Sequence, residues 1–118
     1  MLTKETAITK TKEFIMSCKN HNIIFKNVIL FGSAVTGQVT ENSDIDLLLV
    51  SDSFGYDKWE NAKLIAPINK HFSIIDAHTF PTEYYLQGDP LINEIKKTGI
   101  EIILSLFLDK TACFSKPY

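Results

Sequence analysis

The sequence predicts an α/β (α+β) domain, with a mixed sheet of about four strands and flanking helices. Apolar side chains recur at helical spacing near the N-terminus, which indicates an amphipathic helix. Two short apolar runs follow at residues 27–31 and 45–51, as in strands of a covered sheet. Its 118 residues, 45% of them apolar, predict a single domain over residues 1–118 that is large enough for a real core.

The first half of the chain is predicted to alternate helix and strand. A helix over residues 3–19 would bury one stripe of side chains, namely Ala7, Thr11, Phe14, Ile15 and Cys18. The run 27–31 is the first strand, and residues 33–36 form a short helix that ends at Gly37. The run 45–51 is the second strand.

The second half is predicted to add two helices and two strands. A helix over residues 57–71 would turn four side chains inward, namely Trp59, Ala62, Ile65 and Ala66. Pro67 lies inside it, so either the helix kinks there or its last turn starts afresh. The third strand covers residues 72–80. Asp89 caps a helix whose first residue is Pro90 and which stops at Gly99. Residues 100–104 then form a fourth strand or a buried extended segment.

Charge and composition exclude several classes of protein. The net charge is −2, which argues against broad nucleic-acid binding through phosphate neutralisation. No apolar run approaches the ~20 residues that span a bilayer, and the first 22 residues lack the apolar segment of a signal peptide. Cys18 and Cys113 are too few for a disulfide framework. We therefore expect a cytoplasmic protein with reduced thiols and no membrane partner.

The most informative motif joins a Gly-Ser turn to a pair of aspartates. Gly32 and Ser33 close the first strand, and ten residues separate Ser33 from Asp44. Asp44 and Asp46 lie at the start of the second strand, where residues i and i+2 share a face and could ligate the same hard cations. The turn offers a hydroxyl and backbone amides to a phosphate. The structural alternatives are a helix cap, a turn residue and an edge charge.

A third acidic residue lies in the predicted third strand. Alternation places Asp76 and His78 on one face, and Ile75 and Ala77 on the other. A carboxylate among apolar neighbours is costly unless something binds it. Asp76 is therefore the candidate third carboxylate, and its structural alternative is an ion pair with a nearby lysine. For His78 we expect a structural role in preference to substrate contact.

Together these residues match the signature Gly-Ser, ten residues, Asp-x-Asp-Leu. The chain resembles the minimal nucleotidyltransferases of the DNA polymerase beta-like superfamily over about residues 14–104. The resemblance implies the polymerase beta-like nucleotidyltransferase fold, with two Mg²⁺ ions held by Asp44, Asp46 and Asp76. It further implies that Gly32 and Ser33 bind the phosphates of ATP, and that AMP passes to an acceptor hydroxyl as pyrophosphate leaves.

The chain departs from this family directly after the Gly-Ser pair. Many relatives have arginine or another long polar residue there, whereas this chain has Ala34, and no lysine or arginine lies between Phe31 and Ser51. The charge of a triphosphate would then be met by metals, amides and a distant residue such as Lys58 or Lys63.

Two hypotheses of different class follow. Minimal nucleotidyltransferases are frequently antitoxins that pair with a helical HEPN ribonuclease toxin and can adenylylate it, so the resemblance implies a protein acceptor. The alternative is a catalytically weak module that neutralises or scaffolds a partner by contact. The apolar tail over residues 105–118 is expected to form an interface, either with such a partner or in a homo-oligomer.

Overall fold

The computed structural model describes residues 3–36 and 44–104, where a single mixed sheet of four strands forms the centre of the fold. The strands are β1 Asn27–Phe31, β2 Ile45–Ser51, β3 Ile75–Pro81 and β4 Ile100–Glu101, in the spatial order β3-β2-β1-β4. β1 pairs antiparallel with both β2 and β4, whereas β2 and β3 are parallel. The predicted fold class is confirmed, and β1 and β2 have the predicted bounds.

Five helices flank the sheet in the described ranges. They are α1 Lys4–Asn20, α2 Ser33–Thr36, α3 Lys58–Asn69, α4 Thr82–Gln87 and α5 Pro90–Thr98. The sequence did not predict α4, because this short helix has no side-chain cap at its start. Its N-cap is Pro81, and it ends at Gly88, whose φ of +79° suits glycine.

One face of the sheet packs against α1, α2 and α3. The predicted stripe of α1 is confirmed, since all five of its residues are buried. Val28, Leu30, Ile45 and Leu47 point from the sheet into the same core. Burial raises the pKa of the Cys18 thiol to about 12, so this cysteine is protonated and unreactive at neutral pH.

The predicted inward face of α3 is wrong for three of its four residues. Trp59 is 70% exposed, and Ala62 and Ala66 are also exposed, whereas the buried residues are Asn61, Ile65 and Ile68. Asn61 decides the rotation of the helix because its side chain exchanges two hydrogen bonds, of 2.9 and 2.8 Å, with the backbone of Gly55. Apolar periodicity alone could not reveal a buried asparagine.

The third and fourth strands are shorter than predicted. β3 begins at Ile75 rather than at residue 72, because the Ile75 N–H donates to the Phe72 carbonyl in a turn at 2.9 Å. On the free edge of β3, side chains of α3 bind two carbonyls. The Asn69 amide donates to the Ile75 carbonyl at 3.2 Å, and the Lys58 ammonium donates to that of Thr79.

Among the described residues, helices cover the opposite face of the sheet at one end. α4 and α5 bring Tyr85, Ile92 and Ile95 onto Ile29, Leu48 and Val50. As predicted, α5 starts after Asp89, whose carboxylate accepts from the Ile92 N–H at 2.7 Å, and stops at Gly99. At the other end of this face the side chains are only partly buried or exposed, and they belong to Phe31, Asp46, Asp76 and His78.

No helix within residues 3–36 and 44–104 combines the length and the apolar character needed to cross a bilayer. The expected interface over residues 105–118, the helix stop at Gly37, and Cys113 lie outside the described residues.

Candidate functional site

The parallel pairing of β2 and β3 brings two predicted carboxylates together. Asp46 is directly opposite Asp76 in the register, and Phe31 on β1 is opposite Asp46 on the other side. Both acidic residues therefore point to the open end of the face that α4 and α5 leave uncovered. Ile45 and Leu47, next to Asp46 in the chain, point the other way into the core and anchor the strand.

His78 completes this group of side chains. Its Nε2 atom lies 3.5 Å from Oδ1 of Asp46 and 3.4 Å from Oδ2 of Asp76. This nitrogen is buried and makes no hydrogen bond to the described part of the chain. One ligand atom from each of the three residues lies within 4.8 Å of the others. The arrangement is one that could hold a metal ion.

Electrostatics in this group favour a bound cation. Burial raises the pKa of the Asp46 carboxyl above its ordinary value, His78 opposes that rise, and Asp76 adds to it. Lys10, Lys26 and Lys63 form ion pairs with Glu13, Asp52 and Glu60, respectively, and not with Asp46 or Asp76. Two adjacent carboxylates and an unsatisfied imidazole nitrogen fit a divalent cation well.

Gly32 is required by the position of Asp46. Its φ is +80°, and a Cβ atom on this residue would lie 2.3 Å from Oδ2 of Asp46. The Gly32 carbonyl accepts hydrogen bonds from the N–H groups of Val35 and Thr36, so the same residue starts α2. The sequence analysis expects phosphates to bind at this turn, and in the structure the group that lies next to Gly32 is the Asp46 carboxylate.

Asp44 does not belong to the group around His78. It is exposed one residue before β2, where the Ile45 N–H donates to the Ile74 carbonyl at 2.7 Å. Ser33 is the first residue of α2 and is partly buried. Ala34, which follows it, is 2% exposed and packs into the core, so this position cannot present a side chain to the open face.

A cavity of about 710 Å³ runs along the free edge of β3. Asp76, His78 and Lys58 are among its lining residues. The Lys58 ammonium lies 3.5 Å from the centroid of the Phe80 ring, and burial lowers its pKa. Of the two lysines considered from the sequence, Lys63 instead pairs with Glu60 at 3.6 Å and does not line this cavity.

The family resemblance implied that Asp46 and Asp76 share a metal site, and the structure brings the two together; His78, for which a structural role was expected, lies in the same group. The available signal was the alternation of the strand, since His78 is two residues after Asp76 on the same face. What it could not supply was the register between β2 and β3, which sets the distance from His78 to Asp46.

Comparison with known proteins agrees with this geometry. The family model described as a nucleotidyltransferase domain matches residues 12–112, which is most of the chain. No curated protein matches the chain at a significant level. The matched range includes the Gly-Ser turn, the aspartates of both strands and His78. The chain therefore belongs to the nucleotidyltransferase domain family.

Proposed function

We propose that this protein transfers AMP from ATP to a hydroxyl group of an acceptor protein, with a divalent cation as cofactor. The observation that carries the proposal is the pairing of Asp46 with Asp76 at the open end of the sheet, next to the Gly32 turn. Such a site needs few protein groups, because nucleotidyl transfer depends mainly on positioning and charge neutralisation.

Each residue of the site has a defined task in this proposal. Asp46 and Asp76 hold the cation, with Asp44 at the mouth of the site as a further oxygen ligand. Bound there, Mg²⁺ or Mn²⁺ would neutralise phosphate charge and acidify the acceptor hydroxyl. Gly32 keeps the turn close to Asp46, and the Ser33 hydroxyl donates to the β- or γ-phosphate.

The transfer forms one bond to the α-phosphorus and breaks another. The acceptor oxygen forms a bond to the α-phosphorus, and the bond from that phosphorus to the bridging oxygen of the β-phosphate breaks. The electron pair leaves with pyrophosphate. Asp76 takes the proton of the acceptor hydroxyl, since its side chain is 54% exposed and can meet an incoming group.

A protein acceptor, such as a HEPN-type toxin, is the partner we propose. Three large side chains remain 61–73% exposed: Tyr56 in the loop before α3, Trp59 on α3 and Leu86 on α4. Aromatic and apolar side chains of this kind are typical of protein interfaces. The tail over residues 105–118 is proposed to contribute to the same or a second interface.

The proposal is tested by incubating the protein with α-labelled ATP, Mg²⁺ or Mn²⁺, and the helical protein encoded by a neighbouring gene. We expect label in the acceptor and one pyrophosphate released per AMP transferred. Asp46→Asn serves as the inactive control. Stabilisation by ATP and metal without any pyrophosphate release would instead support the alternative, a binding module that acts by contact.

That alternative has one specific observation in its favour. Ala34 is buried where many relatives have a long polar residue, so the turn offers no cationic side chain to a triphosphate. Neutralisation of the phosphate charge would then depend on the cation and on Lys58, which lines the cavity. Turnover measured in the experiment above separates the two functions directly.

Ser33→Ala is expected to weaken ATP binding by roughly 1–3 kcal/mol, the cost of losing a hydrogen bond to a charged group. AMP binding should weaken less, because Ser33 is proposed to contact the terminal phosphates. Calorimetric titration of both nucleotides measures the difference. Ser53→Ala, at an exposed serine outside the motif, is the matched control. Equal losses for ATP and AMP would contradict this role of the turn.

A further inference from the structure

We propose that His78 is a ligand of the divalent cation, together with Asp46 and Asp76, and that its nitrogen makes the site prefer Mn²⁺ to Mg²⁺. This inference rests on the proposed function, because it concerns the cation of the same site. It adds a ligand that the Asp-x-Asp motif does not contain, and it names the class of metal that the site selects.

The position of Nε2 is the first argument. It is buried, it lies 3.4 and 3.5 Å from two carboxylate oxygens, and it forms no hydrogen bond within the described residues. Two carboxylate oxygens lie at ion-pair distance from this nitrogen, but it has no hydrogen bond in this part of the chain, whereas most buried polar atoms in proteins have one. A cation between the three side chains would satisfy the nitrogen and both carboxylates at once.

The orientation of the ring is the second argument. The Phe31 ring lies 5.2 Å from the His78 ring, with an angle of 57° between the two planes. Phe31 is opposite Asp46 in the sheet, so the residue that contacts the imidazole also neighbours the carboxylate. Packing against Phe31 thus restricts the imidazole on one side, at the position in the sheet where the two aspartates lie.

The donor set provides the selectivity. Mg²⁺ favours oxygen ligands in a nearly ideal octahedron, whereas imidazole suits first-row transition metals, and carboxylates suit Mn²⁺ as well. Donors on one ion with bonds of about 2.1 Å lie roughly 3.0 Å apart when adjacent in an octahedron. The separations of 3.4 and 3.5 Å are wider than octahedral coordination of either ion requires, so they do not discriminate between the ions, and the preference rests on the imidazole nitrogen.

The test uses Mn²⁺ alone and a spectroscopic signal specific for nitrogen ligation. Electron spin-echo spectra of the Mn²⁺-loaded protein are expected to show ¹⁴N modulation from a coordinated imidazole. In His78→Gln this modulation should vanish, and Mn²⁺ affinity should fall about tenfold or more while Mg²⁺ affinity changes far less. His78→Asp, which replaces the nitrogen donor with an oxygen donor, should shift the metal preference toward Mg²⁺.

The other two histidines of the chain provide matched controls. His21→Gln and His71→Gln alter exposed residues and should keep the ¹⁴N modulation. The chain has three histidines in all, so modulation that persists in both of these variants identifies His78 as its source. This conclusion holds even if His78→Gln folds poorly. Circular dichroism of each variant checks the fold.

Two results would overturn the inference. One is bound Mn²⁺ with no ¹⁴N modulation in the wild-type protein, and the other is an equal loss of Mg²⁺ and Mn²⁺ affinity in His78→Gln. AMP transfer that persists in either case would leave the proposed function intact. Nitrogen ligation without any AMP transfer would support the metal site and contradict the proposed function.

Discussion

Asp46→Asn is expected to lower the rate of AMP transfer about 10³-fold, or roughly 4 kcal/mol of transition-state stabilisation. Asp46 is the carboxylate next to both His78 and the Gly32 turn, so its loss removes the central ligand of the proposed cation site. The stabilisation of the protein by Mn²⁺ or Mg²⁺ with ATP should disappear as well. Single-turnover kinetics and thermal melting measure the two effects.

The same substitution should not lower the stability of the protein without metal. The pKa of Asp46 is raised in the fold, so its ionised form is disfavoured by folding at pH values above that pKa. Neutral asparagine removes this cost, and the melting temperature at neutral pH should stay level or rise. As pH falls through the folded pKa the advantage of asparagine should diminish, and it should disappear below the lower pKa of the unfolded state, where the aspartate is protonated in both states.

Asp52→Asn is the matched control for this prediction. Asp52 is also an aspartate next to β2, but it pairs with Lys26 at 3.6 Å at the far end of the strand. It should leave AMP transfer and metal binding unchanged. If Asp52→Asn and Asp46→Asn reduced transfer equally, the loss would reflect general charge and not the proposed site.

Gly32→Ala is expected to damage both the fold and the site. The left-handed backbone costs a residue with a Cβ atom roughly 1–2 kcal/mol, and the added methyl group would collide with the Asp46 carboxylate. We expect unfolding free energy to fall by at least that amount, with the metal-dependent rise in melting temperature lost. Urea titration, with and without Mn²⁺, measures both.

Gly55→Ala separates these causes from the general effect of replacing glycine. A Cβ atom on Gly55 would have no heavy atom within 4 Å, so this variant should fold and bind metal as the wild type does. Equal stability of the two variants, with metal binding retained in Gly32→Ala, would mean that the Asp46 carboxylate does not lie beside the turn.

The elements that local chemistry determines could be predicted from the sequence. The buried stripe of α1, the bounds of β1 and β2, and the Asp89 cap of α5 all follow from periodicity or capping within a few residues. The rotation of α3 could not, because it depends on hydrogen bonds from Asn61 to a loop. Helix α4 has no comparable cap.

For the candidate site, too, the sequence predicted the local pattern but not the contacts between distant strands. Side-chain alternation placed Asp76 and His78 on one face, but only the register of two strands distant in sequence brings them to Asp46. Alternation also explains the position of Asp44. Residues i and i+2 share a face only inside a strand, and β2 begins at Ile45, one residue after Asp44. The sequence pattern therefore did not guarantee that Asp44 and Asp46 would point to the same face.

In the described residues β3 is an outermost strand of the sheet, and its outer edge has a consequence for how copies of this protein meet. Because Ile75 and Thr79 point their carbonyls away from β2, residues of the same parity, Ala77 and Pro81, also turn their backbone groups outward. The two carbonyls are occupied by Asn69 and Lys58, and Pro81 has no N–H to donate. The strand thus offers too few free groups to template another strand, which protects the protein from sheet-to-sheet aggregation at the edge beside its proposed site.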